Sequence, residues 1–346
     1  MNIPGGERKT AMWVEAHEAS HAVRRLLEKN GDLFAAAAER LRALAPRAVV
    51  TLARGSSDNA ATYARYLIET KLGILTASAA PSVNSVYGAR PDLSGTAFLA
   101  ISQSGRSPDL VAGIKAAKAS GALTLALTND ETSPLAAQAD IRIGLCAGFE
   151  HSVAATKTYI ATQAAIAALV ARWGQDAEFA AATKALPELL ETAWDQDWSG
   201  AVAGLCEAKD LYVIGRGIGF GAAQEVALKF KETCALHAEA FSSAEVRHGP
   251  MTLASDGFPV FVLSQDDETR PGVRDLVATL VGNRCKVFLA GFAAPGTVPL
   301  PTIEAHPALQ PILFIQSFYR MAERLARRRG IDPDTPALLK KVTETV

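Results

Sequence analysis

Short apolar runs, each closed by a turn carrying Gly or Ser and followed by a longer helical pattern, recur along this chain. A strand that is apolar on both faces must be covered on both, and a helix after each strand supplies the cover while returning the chain for parallel pairing. Residues 48–53 read as such a strand, followed by Arg54-Gly55-Ser56-Ser57-Asp58 and a helix from about Asn59. Residues 96–102 repeat the pattern, with Gln103-Ser104-Gly105-Arg106-Ser107 before a helix from about Pro108. Strands at 123–127 and 141–145 and an Ala-rich helix at about 156–173 close a first module. After a polar helical bridge at 184–197, a strand at 211–214 ends in Gly215-Arg216-Gly217 and opens a second module. Strands at 258–263 and 287–290 and a final helix at about 308–329 complete it. Arg54-Gly55 and Arg216-Gly217 each end the opening strand of a module, an echo that fits a duplicated unit.

The length supports that partition, because 346 residues exceed one ordinary compact core and suit two. The expected organisation is α/β, with doubly wound parallel-sheet domains at 31–183 and 184–330, a docking helix within 1–30 and a tail at 331–346. Apolar residues make up 49% and charged residues 21%, with a formal net charge of -1, which fits a packed globular protein. That balance gives no electrostatic ground for binding nucleic acid or an anionic membrane. Residues 1–13 lack the apolar stretch of about 7–15 residues of a signal peptide, and no later apolar run reaches ~18 residues, so a cytoplasmic protein is expected. Cys146, Cys206, Cys234 and Cys285 are scattered with no CxxC pair, which points to reduced thiols and away from a disulfide framework or zinc knuckle.

Two loops have the chemistry of an anion cradle. Ser102-Gln103-Ser104-Gly105-Arg106-Ser107 stands between a buried strand and a helix start, where free N–H groups and the helix dipole favour negative charge. Ser56 and Ser57 occupy the matching turn after the first strand, and in a doubly wound sheet both loops open on the same carboxyl edge. Either loop alone reads first as an ordinary N-cap or turn; together they favour a phosphate. In the second module Glu225, Lys229 and Glu232 share one helix face, leaving Val226, Ala227 and Phe230 for the core. Such a face is often only a solvated set of ion pairs. Here it is followed by His237-Ala238-Glu239-Ala240-Phe241 and Glu245-Val246-Arg247-His248-Gly249-Pro250, a dense ionisable run ending in a turn able to present an imidazole.

Six stretches carry a family resemblance: Arg54-Gly55-Ser56-Ser57, Ser102-Gln103-Ser104-Gly105, Val153-Ala154-Ala155-Thr156-Lys157, Ala227-Leu228-Lys229-Phe230-Lys231-Glu232, His237-Ala238-Glu239-Ala240 and His248-Gly249-Pro250. In this order they resemble the sugar-isomerase (SIS) family, in particular the isomerase half of glucosamine-6-phosphate synthase and stand-alone SIS-type glucosamine-6-phosphate deaminases. Asp332-Pro333-Asp334 and Pro336-Ala337-Leu338-Leu339-Lys340-Lys341-Val342-Thr343 resemble that family's catalytic tail. The resemblance implies two tandem flavodoxin-like SIS domains, a sugar phosphate as the small-molecule partner, no cofactor or metal, and a homodimer with a shared active site. It also implies roles. Ser56, Ser57, Ser102, Gln103, Ser104 and Ser107 fall on the phosphate-holding turns, and Val153 matches a backbone contact to the sugar. Glu232 matches the base that moves a proton between C1 and C2, with Lys229 beside it. His248 matches a ring-opening residue given by the partner subunit, and Lys341 a tail lysine that closes over the open-chain sugar and can form an imine with it.

The departures are specific. Ala155 replaces a serine that contacts substrate, and Arg106-Ser107 replaces an acid-threonine pair, adding a positive charge beside the phosphate loop. Nothing resembles the N-terminal cysteine of a glutaminase domain, since Asn2 follows Met1, so glutamine is not expected as nitrogen source. Glu232, His248 and Lys229 supply a base, a ring-opening acid-base group and a cation for enolamine charge. The leading expectation is therefore deamination of glucosamine-6-phosphate to fructose-6-phosphate and ammonia. Fructosamine-phosphate deglycase, aldose-ketose phosphate isomerase and a sugar-phosphate sensor are the alternatives.

Three other patterns are set aside. His17-Glu18-Ala19-Ser20-His21 spells HExxH but has no third ligand at a suitable distance. Gly217-Ile218-Gly219-Phe220-Gly221-Ala222 approximates a dinucleotide fingerprint without the acidic ribose partner. Arg324, Arg327, Arg328 and Arg329 read as a helix end complementing its dipole.

Overall fold

The computed structural model describes residues 9–336 and Lys341. Its first segment is two helices, α1 (Ala11–His17) and α2 (Ala19–Lys29), broken at Glu18, where the sequence pattern suggests one docking helix. Glu15, before the break, accepts from the backbone of the loop after the first sheet, and Glu18, at the break, pairs with Lys157. The HExxH segment is thereby divided between two helices, and the His17 ring stacks on Trp13 with centroids 5.1 Å apart. Among the described residues no helix is long and apolar enough to cross a membrane.

A helix α3 (Gly31–Leu44) leads into the first sheet, built from β1 (Ala48–Leu52), α4 (Ser56–Leu72), β2 (Thr76–Ser78), α5 (Pro81–Ser85), β3 (Thr96–Ile101), α6 (Pro108–Ala119), β4 (Leu123–Thr128), α7 (Pro134–Gln138) and β5 (Ile141–Gly144). All its strands are parallel, in the order β2-β1-β3-β4-β5. Helix α4 begins three residues before the expected Asn59, so Ser56 and Ser57 form its first turn. A helix α8 (Lys157–Trp173) follows, every residue of which except Arg172 is buried. Its Ala-rich composition lets neighbouring helices approach from several sides.

After α9 (Ala177–Lys184), α10 (Leu186–Trp194) and α11 (Ser199–Leu205) comes the second sheet. It contains β6 (Asp210–Gly215), α12 (Phe220–Cys234), β7 (His237–Ser242), β8 (Pro259–Leu263), α13 (Arg270–Gly282), β9 (Lys286–Ala290) and β10 (Val298–Leu300), followed by α14 (Gln310–Arg328). Its order, β10-β9-β8-β6-β7, is the same permutation as the first sheet read from the opposite edge. Both are the flavodoxin-like doubly wound arrangement, so the echo of Arg-Gly turns reflects a repeated topology.

The halves meet where α12 lies against α4. Gly221 allows this: a Cβ there would sit 2.5 Å from the Asn59 carbonyl oxygen and 3.0 Å from the Tyr63 nitrogen, so backbone packs on backbone. One turn further along α12, Glu225 receives Asn59 Nδ2 at 2.9 Å, and another turn on, Lys229 reaches Ser56. The helices therefore run antiparallel, pairing polar residues turn by turn. Replacing Gly221 with Ala should push them apart and cost about 1–3 kcal/mol of stability. Chemical denaturation would read that loss, and turnover should fall with it as Lys229 leaves Ser56.

Candidate active site

The crevice of a doubly wound sheet opens between the two neighbouring strands whose connections depart in opposite directions. In the first sheet these are β1 and β3, and the turns after them hold Ser56, Ser57 and residues 102–107. Arg54 joins the two turns, donating through Nε (3.0 Å) and Nη2 (2.8 Å) to Asp109 Oδ2 in the first turn of α6. The β3 turn is tight because Gly105 has φ +62°, and a Cβ on it would fall 2.1 Å from Ser133 Oγ. Ser102 Oγ accepts from the Gly105 N–H at 3.1 Å, and Ser104 Oγ accepts from the Arg106 N–H at 3.3 Å. Ser57 and Ser107 hold hydroxyls with no side-chain partner among the described residues, and both lie at helix starts that favour an anion. The added charge of Arg106 is countered by Asp130 at 2.7 Å.

Lys229 of α12 reaches Ser56 from the other half. Its ammonium is buried, yet it donates to Ser56 Oγ at 2.9 Å and Glu232 Oε2 at 2.5 Å and lies 3.3 Å from Glu225 Oε1. Burial pushes its pKa down, but the charges of Glu225 and Glu232 outweigh that and hold it above the usual lysine value, so it remains a cation. Glu225 is itself fully buried and is satisfied by Asn59 and by the Tyr319 hydroxyl at 2.9 Å. Of the three ionised side chains only Glu232 keeps exposure, 23%. A carboxylate at the open end of a buried ion network is oriented by it while staying accessible to a ligand.

Beside the phosphate-type loop a cleft of about 1080 Å³ is lined by Gln103, Ser104, Arg106, Phe149, Glu150 and Lys341, among others. The loop after β5 forms one side. Buried Glu150 caps α8, accepting from the N–H groups of Thr156 (2.9 Å) and Thr158 (3.3 Å) and from Thr158 Oγ1 at 2.7 Å. Its other role is to receive the tail: Lys341 Nζ donates to Glu150 Oε2 at 3.2 Å and to the Ser152 carbonyl at 2.6 Å. The Val153 N–H donates to the Asp334 carbonyl at 3.3 Å. Residues 337–340 and 342–346 of the tail lie outside the described residues.

The structure thus joins Ser56, Lys229 and Glu232 directly, and it gathers Gln103, Ser104 and Lys341 around one cleft. His248 is not in that set. It follows β7 on an exposed turn and has no side-chain partner among the described residues. Glu15, Asn59, Glu150 and Tyr319 had no motif to mark them. Only Glu150 had an available cue, its place just before the Val153 stretch. The equivalent crevice of the second sheet, between β6 and β8, is filled by Gln265, whose Nε2 donates to the Arg216 carbonyl at 2.8 Å. A Cβ on Gly219 would lie 2.3 Å from Gln265 Oε1, so the glutamine packs directly on that turn.

The model of the SIS domain matches residues 45–172 and 204–287, which take in the first sheet and β6, β7 and β8 of the second. The chain belongs to the SIS domain family. SIS relatives include the isomerizing glutamine–fructose-6-phosphate aminotransferase of Symbiobacterium thermophilum, 33% identical over 95% of this chain and 58% of that protein. That of a Thermus thermophilus strain is 32% identical over 86% of this chain and 53% of its own length. The chain therefore spans just over half of these relatives and resembles their isomerase half. A Silicibacter pomeroyi structure provisionally described as a phosphosugar isomerase superposes with TM-score 0.91 and 42% identity, covering 94% of this chain and 100% of that one. A glucosamine-6-phosphate deaminase from Thermotoga maritima shares the SIS fold at TM-score 0.76 and 21% identity, covering 97% of this chain and 100% of its own.

The buried ion network generates a clear expectation. Lys229→Met should leave Glu225 without its counter-charge and lower the unfolding free energy by about 3–5 kcal/mol. Adding Glu225→Gln should recover much of it, as urea titration of the single and double variants would measure.

Proposed function

We propose that this SIS chain is an amino-sugar-phosphate deaminase, converting glucosamine-6-phosphate and water to fructose-6-phosphate and ammonia. The observation that carries the reading is the pairing of Glu232 with the buried Lys229 ammonium and Ser56 across α4 and α12, beside the serine-rich β3 turn. Ser57, Ser102, Gln103, Ser104 and Ser107 would hold the phosphate with the helix starts behind them. Val153 and the Ser152 carbonyl would line the sugar. With the ring opened by His248, Glu232 takes the C2 proton and returns it to C1. The intermediate is an enolamine, and its ketimine product is hydrolysed at C2 to release ammonia. Lys229 stabilises the carboxylate and the charge that develops beside it. Lys341 supplies an amine at the cleft that can form an imine with the open-chain carbonyl and water as the other product. His248 is exposed on its own chain, which supports its service in the site of a second copy in a homodimer.

Ammonia release from glucosamine-6-phosphate should proceed in the presence of a chelator and without nicotinamide. Amine release from fructosamine phosphates alone, interconversion of unaminated hexose phosphates, or synthesis from fructose-6-phosphate that requires glutamine would replace this reading. Glu232→Gln should keep sugar-phosphate binding and lose about 10²- to 10⁴-fold in kcat, together with exchange of the C2 hydrogen into deuterated water. Near-normal exchange in that variant would remove Glu232 as the base.

A second expectation concerns the dimer. Mixing Glu232→Gln and His248→Ala chains should restore hybrid active sites. No recovery in verified heterodimers would place both residues in one subunit's site.

A further inference from the structure

Glu15 does not line the cleft and has no part in the reaction just described, yet it is a buried carboxylate aimed at the loop beside the cleft. It accepts from the backbone N–H groups of His151 and of Ser152, the latter at 3.1 Å. On the opposite side of the same peptide run, the Ser152 carbonyl accepts Lys341 Nζ and the Val153 N–H donates to Asp334. Asp334 closes the circuit. Its carboxylate caps α1, accepting from the Ala11 N–H at 2.7 Å and the Met12 N–H at 2.8 Å. Glu18, at the end of the same helix, pairs at 2.8 Å with Lys157, whose side chain is buried at the start of α8. Helix α1, the loop 150–153 and the tail therefore form a ring of bonds in which each holds the other two, and Lys341 and the Ser152 carbonyl project from that ring.

We propose that Glu15 is a positioning residue: through the N–H groups of His151 and Ser152 it sets the loop against which Lys341 is held, and with Asp334 it makes α1 the strut between that loop and the tail. The inference rests on the reading of Lys341 as a substrate-facing amine. A carboxylate is required because it has an acceptor for each N–H. An amide at position 15 would turn its NH₂ group toward one of the two donors, leaving that N–H unpaired beside a second donor.

The test uses the full chain with Glu15→Gln, Asp334→Asn and the double variant. Two readouts are needed: kinetics on glucosamine-6-phosphate, and hydrogen exchange of the 150–153 and 331–336 peptides in the ligand-free protein. Glu15→Gln should speed exchange in both peptides, including the tail that it does not touch, and lower kcat about tenfold or more while KM changes less than about threefold. Asp334→Asn should give the same pattern from the other side of the ring. The double variant should be little worse than the poorer single one, because both cut the same ring. Should Glu15→Gln fail to fold, Asp334→Asn decides alone. Unchanged exchange in the far peptide, or fully additive losses, would overturn the proposal. If the unaltered protein releases no ammonia, the functional reading fails, while the exchange experiment still judges the ring.

Discussion

The structure depends on one buried cation. Lys229 is held between Glu225, Glu232 and Ser56, with Glu225 tied back to Asn59 and Tyr319. Burying ionised groups is costly unless each finds its partners, and here they come from α4 of one sheet domain and from α12 and α14 of the other. The halves cannot separate without taking Ser56 from Lys229 and Asn59 from Glu225. The same requirement fixes where α12 lies on α4, where a Cβ at position 221 would meet backbone, and it leaves Glu232 as the exposed end of the network.

Duplication supplied two switch points and only one remains open. In the first, glycine and serine turns leave hydroxyls and helix starts around a space; in the second, a glutamine side chain occupies the same position in the topology. The two repeats thus contribute different parts. One furnishes two serine-bearing turns at helix starts, and the other a first helix whose Lys229 and Glu225 meet Ser56 and Asn59 of its neighbour.

Much of this was legible in the chain. The central strands β1, β3, β4, β6, β8 and β9 stand out because they are largely buried on both faces and read as unbroken apolar runs. The edges do not. β2 and β10 are three residues long, and β7, His237–Ser242, mixes exposed and covered positions with two charged or titratable side chains, so it reads as a loop of ionisable residues. Helix α13 starts at Arg270-Pro271-Gly272, a turn-like beginning that conceals it. At the site, the serine turns and the Glu225, Lys229, Glu232 face were visible as local patterns. Glu15, Asn59, Glu150 and Tyr319 were not, because their partners lie 6 to 191 residues away and only tertiary folding reveals them.

The cap that Asp334 places on α1 joins positions 323 residues apart. A ribosome delivers the chain from its N-terminus, so both sheets can be synthesised and packed before that bond exists. Contacts of such separation form late, since the ordering of everything between them must come first. Helix α1 therefore waits, with its cap from Thr10 but without that from Asp334, while both sheets are made. The cleft receives Lys341 only with the segment beyond α14, so a nascent chain that has folded both sheets still lacks that part of its lining.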